Sequence, residues 1–409
     1  MSADPWADLD AESRAFLSQT LGGAAEPAST PPTIPVPPAP APSALLSTLV
    51  GRAHRHGASD LHLTVGTAPH VRVHGDLIAM PDARPLTAVD VALLVDEALS
   101  PALRARFDSD GDVDTAFELT PGEPSGDGEA TADRGRPVRV RASVFRQQGH
   151  PALALRLIQA AVPALSSLGL PPAVEQLVEL RSGLVLVTGE TGSGKSTTLA
   201  ALVSELLRRR PAHVLTIEDP IEYLIPRGRG LVRQREIGLD TESFATALRH
   251  ALRQDPDVIL LGELRDLETI STALTAAETG HLVLATLHSS DASGAVHRLV
   301  DVFTADQQAQ VRSQLSLALQ AICSQQLLAS PHGSRVAATE VLLGSSAVRN
   351  LIREDKVHQL PSVLETSVGE GMHTFDQSLV ALVRAGRLDR ETALAAAHHA
   401  DRFEELHHR

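Results

Sequence analysis

Eight residues, Gly189-Glu190-Thr191-Gly192-Ser193-Gly194-Lys195-Ser196, restrict the folds open to this chain more than any other feature. They fit the phosphate-loop pattern G-x-x-x-x-G-K-[ST]. The apolar run LVLV at 184–187 precedes them and the helix-forming stretch TTLAAL follows. Strand, glycine loop and helix in that order belong to a parallel α/β sheet, where the strand delivers the loop and the helix N-terminus supplies favourable partial charge. The glycines let backbone N–H groups curl around phosphate oxygens, Lys195 can reach the β- and γ-phosphates, and Ser196 can ligate Mg²⁺. The cofactor-binding set therefore runs through Gly189, Glu190, Thr191, Gly192, Ser193, Gly194, Lys195, Ser196 and Thr197, with ATP and Mg²⁺ as the expected ligands.

Around this motif the chain alternates. GLVLVTG, HVLTIED, DVILLGE and HLVLATLH read as strands, separated by helical patterns that start at Lys195, cover SFATALRHALRQ and cover LETISTALTAAETG. Such alternation predicts a mostly parallel sheet with helices on its faces. Residues 159–409 are expected to form this unit, with helical patterns dominating from about 305, where DQQAQVRSQLSLALQAICSQQLL and SAVRNLIREDKVHQL show helical spacing. Residues 43–158 read as a smaller α+β domain: a helix over SALLSTLVGRAHRHG, then the alternating stretches DLHLTV, HVRVHGD and VRVRASVFR. A Gly-, Pro- and charge-rich stretch at about 120–137 reads as a surface insertion in a hairpin. Residues 1–42 end in PASTPPTIPVPPAPAPS and read as a disordered Pro/Ala-rich head.

Composition narrows the function. With 36 Lys plus Arg against 50 Asp plus Glu, the formal charge is −14, and aromatic residues are 2% of the chain. That offers neither a general basic footprint nor many stacking platforms, so no nucleic acid is expected as partner. The single cysteine, Cys323, rules out an intrachain disulfide and a Cys-based metal cluster. With no apolar run approaching the ~18 residues of a membrane span and an acidic N-terminus, a cytoplasmic location is expected. Only two lysines occur, Lys195 and Lys356.

Carboxylates cluster after two of the strands. Glu263, at the end of the run 257–263, is placed to hold Mg²⁺ through water, although a salt bridge to Arg265 is the alternative reading. In TIEDPIEY, Glu222 is the candidate general base that orients water for in-line attack, with Glu218 next; Asp219 before Pro220 would fix the turn. His288, at the end of the run 281–288, is a candidate γ-phosphate sensor, while ordinary strand-end histidines are the alternative for both it and His281.

The blocks GETGSGKS, TIEDPIEY, DPDVILLGELRDLET and TAAETGHLVLATLH, in this order, resemble the secretion ATPase superfamily that powers type IV pili and type II secretion. Within it, GASDLHLTVGTAPHVRVHGDL, LRHALRQDPDVILLGELRDLETI and AVRNLIREDKVHQ are similar to the pilus retraction, or twitching-motility, ATPases over about residues 43–390. The resemblance implies a PAS-like N-terminal domain and a RecA-like ATPase domain, assembled as a homohexamer with ATP between domains. It implies that strand arginines complete the site, and these fall on Arg139, Arg141 and Arg156. The residues alone place Arg139 and Arg141 two apart on one strand face, fit to meet phosphate as a pair; an exposed basic strand edge would give the same spacing. Action on an inner-membrane pilus platform protein, at the cytoplasmic face of that membrane, is likewise implied. Assembly and secretion relatives usually carry a tetracysteine loop, which one cysteine cannot supply, so retraction is favoured over them. A slow nucleotide-binding regulator and a DNA motor are the more distant readings. Glu190 departs from the family, where Pro is common at that position.

Overall fold

The structure, a computed structural model, describes residues 44–73, 75–120, 138–158 and 162–408. The readings of the head at 1–42 and of the insertion near 120–137 fall outside the described residues.

Helix α1 (Ala44–Arg55) buries Leu46, Leu49, Val50 and Ala53, an i, i+3, i+4, i+7 stripe. Strands β1 (Asp60–Thr64), β2 (His70–Val73), β3 (Asp76–Ala79), β4 (Asp112–Leu119), β5 (Val138–Gln147) and β6 (His150–Ile158) form one sheet in the order β3-β2-β1-β6-β5-β4. Every neighbouring pair in it is antiparallel. Leu61, Leu63, Val71, Val140 and Val144 point inward and build a core with α2 (Ala88–Ala98), whose start is fixed by a capping box between Thr87 and Asp90. Helix α3 (Pro101–Asp110) adds Phe107 to the same core. The strand period of two sends Arg139 and Arg141 to the opposite face, and the register sets Arg141 directly across from Arg156 of β6.

A second sheet has seven strands. β7 (Gly183–Thr188), β8 (His213–Glu218), β10 (Val258–Leu261) and β11 (Leu282–Leu287) are the four apolar runs read from the sequence, joined by β9 (Leu231–Glu236), β12 (Leu319–Ala329) and β13 (Arg335–Leu343). The order is β13-β12-β7-β11-β10-β8-β9, parallel except for β13. β7, β10 and β11 are buried along their whole length because helices cover both faces, which is why they read as continuous apolar runs. One face packs α4 (Lys195–Arg209); the other packs α5 (Phe244–Ala251), α6 (Leu267–Glu278), α7 (Ala292–Asp301) and α8 (Ala305–Ala318). The α/β class with a RecA-like parallel sheet and a smaller α+β sheet is the observed architecture.

One expectation is overturned. Residues 306–328 read as continuous helix, but α8 ends at Ala318 and the chain passes straight into β12. Leu319 keeps the last helical hydrogen bond, its N–H donating to the Leu315 carbonyl, while its own ψ of 123° is already extended. Neither Gly nor Pro marks the switch. β12 is buried on both faces over Ala321–Gln325, so it shows no two-residue alternation either. Pairing with β7 on one side and β13 on the other decides its conformation. Beyond it lie α9 (Ser346–Arg353), α10 (Leu360–Thr366), α11 (Phe375–Arg384), α12 (Arg390–Ala396) and α13 (Ala400–His408). In α9, Val348 and Ile352 are fully buried and Leu351 half-buried against the same core.

Candidate nucleotide site

At the carboxyl edge of the parallel strands a cleft of about 450 Å³ is lined by the phosphate loop, Glu218, Asp219, Glu222, Glu263, Thr286 and His288. The loop leaves β7 and enters α4 through Gly194, whose φ of 90° only glycine adopts readily. Gly189 is equally constrained: a Cβ there would lie 2.3 Å from the Gln325 carbonyl oxygen and 2.5 Å from Ser193 Oγ. Lys195 is buried, and its Nζ donates to the carbonyls of Gly189 and Glu190, each at 2.8 Å. Burial lowers its pKa, against which Glu263 and Glu222 favour the charged form. Ser196 lines the cleft, and the Thr197 hydroxyl lies 2.9 Å from that of Tyr223.

The loop fits a phosphate group by two features of its own. Its three glycines, Gly189, Gly192 and Gly194, all hold positive φ, the backbone that a loop wound around an anion uses, and Ser193 Oγ is buried with no hydrogen-bond partner. An orphaned hydroxyl inside such a loop is costly unless a ligand satisfies it. Among the described residues no group of three or more His, Cys, Asp or Glu gathers to hold a metal, so a divalent ion here would share its oxygens between Ser196 and the phosphates.

The acidic residues differ in state. Glu218, at the end of β8, is buried, and burial pushes its carboxyl up to about 7; Thr216 Oγ1 and Gln234 Nε2, donating at 2.5 and 3.1 Å, favour ionisation, while the neighbouring Glu222 and Glu236 oppose it. Glu222 is exposed and lines the cleft four residues on, beyond the cis Asp219–Pro220 bond. Glu263 has Arg265 at 2.7 Å on one oxygen and His288 Nε2 at 3.5 Å from the other. The Arg265 pair weighed as the alternative is thus present, within the same cleft that holds Lys195. Burial, then the nearby Lys195 charge, lowers the pKa of His288, which keeps its ring neutral at pH 7. His281 sits at the opposite end of β11, its Nδ1 3.1 Å from the Ala276 carbonyl.

The three arginines reach the site's border. None lines the larger cleft. Arg141 and Arg156 line a neighbouring cavity of about 260 Å³ together with Glu222 and Tyr223, and Arg156 also pairs with Asp60 at 3.0 Å. Arg139 lies 3.6 Å from Glu236 of β9, a contact between the two sheets, with Glu118 at 3.9 Å. Sequence reasoning missed Glu236, Gln234, Thr286, Arg335 and Gln325. All five come from strands it did not see, or from polar positions inside apolar strands.

A phosphate loop at the carboxyl edge of a RecA-like sheet, faced by carboxylates and a neutral histidine, defines a P-loop ATPase. The chain belongs to the type II/IV secretion system protein family, whose model matches residues 42–356. It is 43% identical over 360 residues to the type IV pilus retractation ATPase PilT of Pseudomonas aeruginosa, covering 88% of this chain and 99% of that one. It is 47% identical over 343 residues to the uncharacterised protein YggR of Escherichia coli K12, covering 84% of this chain and 99% of YggR. Among solved structures, that of the pilus retraction motor PilT with bound ADP superposes with a TM-score of 0.78 at 42% identity, over 88% of this chain and 98% of the other. Among the described residues, no helix is long and apolar enough to cross a membrane.

Proposed function

We propose that this protein is a motor that hydrolyses ATP, with Mg²⁺, to retract a type IV pilus. The observation that carries the reading is the match to a retraction motor along 98% of its structure by a chain that keeps Lys195, Ser196, Glu222, Glu263 and His288 in one cleft. In this reading the working unit is a homohexamer at the cytoplasmic face of the inner membrane, acting on the pilus platform protein. Each subunit has an N-terminal domain over 43–158 and an ATPase domain over 159–409, with 1–42 as a head.

The roles follow from the chemistry of each position. Lys195 neutralises charge on the transferring phosphoryl group. Ser196 would hold a bound Mg²⁺ directly and Glu263 through water, and the ion would supply positive charge against the phosphates. Glu222, exposed to the cleft, takes a proton from the attacking water as the bond from the β,γ-bridging oxygen to the γ-phosphorus breaks. Glu218, near neutrality in its pKa, is the second proton station. His288, neutral, donates to the γ-phosphate, and Arg139, Arg141 and Arg156 complete the charge balance when the two sheets close. Deletion of the gene tests the function: accumulated pili that do not retract support it, and absent pili point to assembly instead. Lys195→Ala must then fail to restore retraction.

A further inference from the structure

We propose that Gln325 of β12 is a positioning residue that sets the phosphate loop for the β-phosphate of the nucleotide; this rests on the nucleotide reading of the cleft. The side chain is 4% exposed and spends both polar ends on the loop and its helix. Its Nε2 donates to the Ser193 carbonyl at 2.7 Å, and its Oε1 accepts from Thr198 Oγ1, in the first turn of α4, at 3.0 Å. Its backbone carbonyl also packs on Gly189, where a Cβ would lie 2.3 Å from it. One residue therefore touches the start of the loop, its end and the helix behind it.

The consequence lies in the geometry of a single peptide. In a trans amide the C=O and N–H point in opposite directions. Holding the Ser193 carbonyl toward β12 turns the Gly194 N–H the other way, toward the cleft that Gly194 and Lys195 line. Gly194, at a φ of 90°, has no side chain to fix that orientation by itself. Without Gln325 the Ser193–Gly194 peptide is free to rotate, and the donor aimed at phosphate is lost with it.

Gln325→Met keeps the length of the side chain and removes both hydrogen bonds. The probes are ADP, which carries the β-phosphate, and AMP, which lacks it. We expect ADP affinity to fall roughly tenfold or more, the effect of losing one backbone donor to a charged phosphate oxygen. AMP affinity stays within about twofold, and the ligand-free melting temperature falls, because the Ser193 carbonyl and the Thr198 hydroxyl lose their partner whether or not nucleotide is bound. Gln325→Glu gives an independent reading, because a buried carboxyl protonates readily and its O–H then donates to the Ser193 carbonyl. Its ADP affinity, taken as a ratio to wild type at each pH, should recover between about pH 8 and about pH 5.5. If Gln325→Met does not fold, this recovery decides the question. Equal losses for AMP and ADP, ADP binding near wild type, or a Glu variant indifferent to pH each overturn the proposal. Absence of ADP binding by the wild-type protein would instead remove the nucleotide reading itself.

Discussion

Replacing Glu218 with Gln should stabilise the ligand-free protein, and only above the acid range. Its carboxyl is raised from the usual 4.5 to about 7, chiefly by burial. Between those values the folded protein binds a proton that the unfolded chain has released, so stability falls as pH rises through that window. At about 1.4 kcal/mol per pH unit, the interval is worth about 3 kcal/mol when complete. The amide oxygen of the Glu218→Gln variant would still accept from Thr216 and Gln234 without carrying charge beside Glu222 and Glu236. Denaturant melts in EDTA, for wild type and Glu218→Gln at about pH 5 and about pH 8, give the required difference of differences. Glu340, buried and likewise raised to about 7, is present in both proteins and cancels. The variant should be close to wild type at the lower pH and more stable by about 1–3 kcal/mol at the higher. A pH-independent difference, or a less stable variant at the higher pH, refutes the reasoning. A carboxylate that destabilises its own protein at working pH is the kind of group an active site retains for chemistry.

Lys195→Ala should lower ATP turnover by at least about 10²-fold, and Lys195→Arg should also be severely impaired, because a planar guanidinium cannot take the place of an ammonium held by the Gly189 and Glu190 carbonyls; near-normal turnover of the Arg variant would undo that argument. Glu222→Gln and Glu263→Gln should both stop hydrolysis, but only Glu263→Gln should shift the Mg²⁺ dependence of nucleotide binding; superimposable Mg²⁺ titrations would cancel the division of roles. Arg139→Ala combined with Arg141→Ala should cut kcat by about 10³ or more while nucleotide binding changes little, and an unchanged kcat would return both residues to the status of a basic strand edge.

The parts of the fold legible in the sequence are those whose physics is local or uniform. β7, β10 and β11 are buried on both faces, so their side chains are apolar throughout, and the phosphate loop announces itself by spacing. β12 is illegible because nothing within it or at Leu319 distinguishes strand from helix; its partners do, β13 next in sequence and β7 with Thr188 136 residues from Ser324. β9 carries Arg233, Gln234, Arg235 and Glu236, a polar edge strand without a hydrophobic signal. The site follows the same division. Lys195 and Glu263 are announced by adjacent residues, whereas Gln325 acquires meaning only when β12 is laid against β7. The pairing of Arg139 with Glu236 joins two sheets and has no trace in either segment alone.

Because β12 lies against β7, the chain cannot finish its phosphate site in the order in which it is made. Thr188 bonds Ser324 and Ser193 is held by Gln325, while α7 and α8 must both be synthesised in between. A nascent polypeptide that has emerged only as far as Thr304 already displays every motif by which ATP would be recognised, but β7 is still an open edge. If Gln325 sets the loop as proposed, nucleotide binds these early intermediates more weakly than it binds the finished sheet, and the stabilisation it supplies grows once translation has passed β12.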